Sequence, residues 1–77
     1  MLYLILKELT EERAVYEYHP DGGDDYGIVS VDRKTGVCSL HKYKPKAGQM
    51  FSGMALSGIR KLFNEGIFPE KRVVSWY

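Results

Sequence analysis

The chain has 77 residues and a mass of 8.8 kDa, with eleven Lys and Arg against ten Asp and Glu. That length allows one domain and about 60% burial of the unfolded surface, which leaves a chain marginally stable unless something reinforces it. Cys38 is the single cysteine, so no internal disulfide can form, and with only His19 and His41 beside it the zinc ligand set is poor. Apolar residues at 44% and aromatics at 13% exclude a disordered chain.

The net charge of +1 hides a division. Residues 1–32 carry two cations against eight carboxylates, a net of −6, and residues 33–77 carry nine cations against two, a net of +7. If the strands pair in chain order, the two halves form opposite sides of one sheet and the molecule is a dipole. If the last strand inserts among the early ones, the charges interleave.

Residues 2–7 read as a first strand, with Leu2, Leu4 and Leu6 on one face and Tyr3 and Ile5 on the other. Residues 9–13 form a polar turn. Residues 14–19 alternate as a second strand, Tyr16 and Tyr18 facing one way and Glu17 and His19 the other. Pro20 ends it, and residues 21–25 are an Asp- and Gly-rich loop. Residues 26–31 make a third strand. Asp32 then suits the start of a type I turn, and Gly36 can take the left-handed backbone that closes a bulged hairpin. Residues 37–43 return as the fourth strand, which Pro45 cannot prolong.

Phe51, Met54, Ala55, Gly58, Ile59, Leu62 and Phe63 recur at three and four residues, which predicts an amphipathic helix over about 50–65. Ser52 is a candidate N-cap, and Gly66 followed by Ile67 and Pro69 is a helix stop. Gly58 on the apolar stripe implies close approach of helix and sheet, and Leu56, off the stripe, is the residue expected at the surface. Residues 72–77 read as a short last strand. The expected class is α+β: an antiparallel β-meander of about four strands, one helix on one face, and a C-terminal strand, in the order β-β-β-β-α-β.

The chemistry-bearing groups are few. Asp21, Asp24 and Asp25 lack EF-hand spacing and read as a solvated turn. No serine sits in a G-x-S-x-G elbow and no phosphate-cradling loop occurs. Cys38 and His41, three apart in a strand, point to opposite faces, so the thiol reads as a small apolar group. No enzyme, cofactor or metal site is expected. Arg33, Lys34, Lys42, Tyr43, Lys44, Lys46, Arg60 and Lys61 form a candidate basic surface for nucleic acid. One helix cannot cover every aromatic, so Tyr16, Tyr18, Trp76 and Tyr77 are candidate contact residues for a protein partner or a second copy.

No apolar run is long enough for a secretory signal or a membrane span, and with one free cysteine the expected location is the cytoplasm. At Asp25-Tyr26-Gly27, Phe68-Pro69-Glu70 and Val73-Val74-Ser75-Trp76-Tyr77 the chain resembles small uncharacterised proteins of Gram-positive bacteria and their mobile elements. That resemblance implies a free-standing small bacterial protein and brings no site residues with it. The leading expectation is a non-enzymatic protein-interaction or self-associating module, a homodimer included, with nucleic-acid binding through residues 33–77 as the alternative.

Overall fold

The computed structural model describes residues 1–21, 23–42 and 48–75, with backbone alone at 48–50. The strands are β1 (Leu2–Leu9), β2 (Arg13–Pro20), β3 (Gly27–Asp32) and β4 (Cys38–Lys42), followed by α1 (Gly48–Glu65) and β5 (Lys71–Val74). They form one antiparallel sheet in the order β4-β3-β2-β1-β5. The expected α+β meander with a helix and a short last strand is therefore the fold.

The hairpins follow from local chemistry. At the β3–β4 turn the Asp32 carboxylate accepts from the Lys34 and Thr35 amides at 2.8 and 3.0 Å. The Gly36 amide donates to the Asp32 carbonyl, and Gly36 takes φ +79°. The Thr35 amide first, then that of Lys34, hold the Asp32 carboxyl below its ordinary range. A carboxyl favoured as the anion in the fold contributes stability above its unfolded pKa and loses it as pH falls through the lower folded value. Asp32→Asn keeps an acceptor but removes the titration. Its melting temperature is therefore expected to fall less than wild type's between pH 5 and pH 2.5, as thermal unfolding by circular dichroism would register.

The helix stop is a Schellman motif. The Gly66 amide donates to the Phe63 carbonyl, the Ile67 amide reaches back to the Leu62 carbonyl, and Gly66 takes φ +75°. The helix start differs from the expectation at Ser52. The helix begins at Gly48, and Ser52 is a buried residue of its second turn. Gln49 and Met50 are good helix formers, so nothing delays the start to Ser52.

One face of the sheet is the core. Leu2, Leu4, Ala14, Tyr16, Tyr18, Val29 and Val31 meet Ala55, Ile59 and Leu62 of α1, all fully buried. A Cβ on Gly58 would lie 3.0 Å from Val74 and 3.3 Å from Leu4, which is the close approach its place on the stripe implied. Leu56 departs from expectation: it is half-buried and packs against the core, because the apolar arc in contact is wider than the seven-residue stripe.

The segment from Gly66 to Glu70 crosses the end of the sheet from the β3–β4 side to β1. It is held at each step. The Arg33 guanidinium lies 5.1 Å over the Phe68 ring, the Tyr16 hydroxyl donates to the Pro69 carbonyl at 2.6 Å, and the Leu6 amide donates to the Glu70 carbonyl at 2.8 Å. That crossing delivers β5 to the outside of β1. The basic last strand thus lies beside the acidic half, and β4 forms the opposite edge. β1 to β4 pair in chain order and β5 adds outside β1 rather than among the early strands, so basic segments flank the acidic one and neither expected arrangement holds in full.

Candidate interaction surface

Tyr16 and Tyr18 are not contact aromatics. Both are fully buried beneath α1. Burial of a Tyr ring is favourable where its hydroxyl finds an acceptor, and for Tyr16 the Pro69 carbonyl supplies one. Burial pushes the Tyr16 hydroxyl up to about 12, the Arg72 charge opposing the shift only in part. Its folded pKa thus exceeds the unfolded value, so its contribution is intact below about pH 10 and declines as pH rises toward 12. Tyr16→Phe is expected to lower stability by about 1 kcal/mol at neutral pH, since the Pro69 carbonyl loses its donor. The gap between variant and wild type should narrow above pH 10 in denaturant titrations. Trp76, Tyr77, Tyr43, Lys44 and Lys46 lie outside the described residues.

The described cations of the candidate basic surface stand in three places. Arg33 and Lys34 belong to the β3–β4 turn, and the Arg60 guanidinium donates to the Gly36 carbonyl there at 3.4 Å. Lys42 closes β4, four residues and roughly 13 Å from the turn end of that strand. Lys61 lies on the other side of α1, beside Arg72 of β5. The fold does not gather them into one patch.

The face of the sheet away from the helix is ordered in cross-strand rungs. Lys71, Ile5, Glu17, Ile28 and Lys42 align across β5, β1, β2, β3 and β4. On the next rung Val73, Tyr3 and His19 align, and Tyr26 just before β3 continues the line. The His19 and Tyr26 rings stack at 5.1 Å with planes 22° apart. That separation is close to the strand spacing of about 4.8 Å, so the rings stand on edge, face to face. The Lys42 amine sits 4.2 Å over Tyr26 and the Lys71 amine 4.8 Å over Tyr3. The His19 Nδ1–H donates to the Gly23 carbonyl at 2.8 Å, its Nε2 lies 3.0 Å from Glu17, and Lys7 reaches Glu17 at 3.8 Å. The period-two alternation of β1 and β2 placed Tyr3 and His19 on this face, but the stack with Tyr26 depends on register across the Asp-rich loop.

Two arrangements carry reactive groups. Ser30 Oγ and His41 Nε2 lie 2.5 Å apart on this face. Among the described residues no carboxylate orients the other ring nitrogen of His41, as a nucleophile–base pair requires. Cys38 faces the core side, where its thiol donates to the Gly36 carbonyl, and desolvation pushes its pKa up with Arg60 opposing. A thiol held protonated is a poor nucleophile. Asp21, Asp24 and Asp25 are exposed, and among the described residues no three His, Cys, Asp or Glu gather where a metal could bind. Among the described residues no helix is long and apolar enough to cross a membrane.

The remaining feature is the β5 edge. Leu6 and Glu70 are a hydrogen-bonded pair in register with β1–β5. Alternation then turns the amides and carbonyls of Arg72 and Val74 toward β1, and those of Lys71 and Val73 outward. Val73 is 46% exposed and Ile5, diagonal to it on β1, is 38% exposed. A groove of about 230 Å³ runs between this edge and α1, lined by Gly58, Lys61, Arg72, Val73, Val74 and Ser75. At the other edge, β4 carries a register shift opposite Ile28 and Val29, which interrupts its pairing geometry. Comparison with known proteins returns no matching family model, no matching curated protein and no matching solved structure.

Proposed function

We propose that this chain is a non-enzymatic protein-contact module that engages its partner at the β5 edge of the sheet. The observation that carries the reading is the regular edge formed by Lys71 and Val73, with outward backbone groups, a half-exposed valine and a groove under α1. Among the described residues no strand pairs with this edge, and such an edge offers main-chain hydrogen bonds to an added strand. The absence of an orienting carboxylate on His41 among the described residues and the raised Cys38 pKa favour contact over catalysis. Nucleic-acid binding draws less support. The described cations are dispersed, and a lysine already lies over a face of Tyr3 and of Tyr26, where a base would stack.

A titration tests the reading. Extended peptides of differing charge, added to the isotopically labelled chain, are expected to shift the Lys71 and Val73 amide resonances. If no peptide of any charge moves those amides at millimolar concentration, the reading falls. Light scattering across a hundredfold dilution separates a foreign partner from a second copy.

A further inference from the structure

We infer that the β5 edge selects an extended acidic segment of a partner protein, which adds as a sixth strand over the groove beside α1; this rests on the contact reading above and specifies its partner. The shape comes from the backbone. An added strand would pair with the outward amides and carbonyls of Lys71 and Val73 and send alternate side chains to the two faces of the sheet. On the helix side those side chains meet the groove wall at Gly58 and Lys61. On the other side they meet Val73 and Lys71.

The charge comes from the cations around the edge. Lys61 and Arg72 line the groove, and among the described residues no carboxylate does, although Glu65 pairs with Arg72 at 2.8 Å. Lys71 adds a third cation on the opposite face. Lysines at a sheet edge ordinarily deter pairing, because a neutral or basic strand would have to desolvate them without compensation. An acidic strand meets the same cations as partners, so the device that excludes most strands selects this one. A second copy is the poorer occupant. Pairing β5 with β5 sets Lys71 and Arg72 of both chains on two adjacent strands of four residues each.

The probes are three ten-residue peptides of alternating Val with Glu, Gln or Lys, titrated into the full labelled chain at 50 and 500 mM salt. The Glu peptide is expected to shift the Lys71 and Val73 amides and to bind about threefold to tenfold more tightly than the Gln peptide, the range for one or two exposed ion pairs. High salt should erase that difference. Lys61→Glu should reduce the preference without touching the backbone. Val73→Pro removes an amide that β1 does not use, so the fold is expected to persist while every peptide loses affinity. Equal binding of the Glu and Gln peptides overturns the acidic preference and leaves the contact reading intact. Shifts confined to β4 overturn the site, silence from all three peptides overturns both readings, and a dimer broken by Val73→Pro makes a second copy the occupant.

Discussion

Gly27→Ala is expected to destabilise the fold by about 3–5 kcal/mol, the range for removing a large aromatic from a core. A Cβ built on Gly27 lies 2.2 Å from Cε1 and Cζ of Tyr18, its cross-strand partner. No real contact survives at that distance, and Gly27 has no positive φ, so the penalty is steric rather than conformational. The outer end of the Tyr18 ring occupies the space beside the glycine, and the residue is fully buried. An added methyl forces that ring out of the space beneath α1. Stabilities of about 0.05–0.15 kcal/mol per residue put a chain of this length near 4–12 kcal/mol in all, so the variant should populate the unfolded state measurably. Urea titration measures the loss directly. The cause is isolated by a cycle with Tyr18→Val, itself destabilising but free of the ring. On that background Gly27→Ala should cost less than about 1 kcal/mol, giving a coupling of at least 2 kcal/mol. Additive effects in the cycle would show that the ring is not what Gly27 accommodates.

The same pair illustrates what the amino-acid sequence does and does not carry. Alternation in residues 14–19 correctly separated Tyr16 and Tyr18 from Glu17 and His19. It could not say which of the two faces the helix covers, because that depends on contacts far along the chain. The acceptor for the Tyr16 hydroxyl is the Pro69 carbonyl, 53 residues away, and no local pattern announces it. The β3–β4 turn and the helix stop were legible because Asp32, Gly36 and Gly66 act within a few residues of themselves. The place of β5 was not, since four residues of Lys-Arg-Val-Val do not encode a partner strand. Once β5 settles beside β1, the basic half is divided between two edges. The candidate site therefore moved from a supposed patch of lysines to an edge whose outward backbone only the register reveals. Among the candidate residues named from sequence, Lys61 remains at that edge; Gly58, Arg72 and Val73 join it through packing.

Gly36→Ala is expected to cost more than Gly66→Ala, although both glycines have nearly the same backbone. Their φ angles are +79° and +75°, so a side chain pays a similar conformational penalty of about 1–2 kcal/mol at each. The surroundings differ. Around Gly66 a Cβ would meet nothing within 4 Å, whereas at Gly36 it would lie 2.8 Å from Cε2 of Phe63. Phe63 belongs to the last turns of α1 and packs against the core, so the β3–β4 turn and the helix end rest on each other at that point. Arg60 reinforces the contact by donating to the Gly36 carbonyl. Overpacking there adds about 1–3 kcal/mol, bringing Gly36→Ala to roughly 2–5 kcal/mol against 1–2 for Gly66→Ala. Phe63→Leu removes the ring and should remove most of the difference, at the separate cost of a smaller side chain. Thermal melts of Gly36→Ala and Gly66→Ala, each with and without Phe63→Leu, decide the matter: equal losses at Gly36 and Gly66 would mean that turn and helix end do not bear on each other. A difference that vanishes with Phe63→Leu would fix the turn against α1 through this one ring.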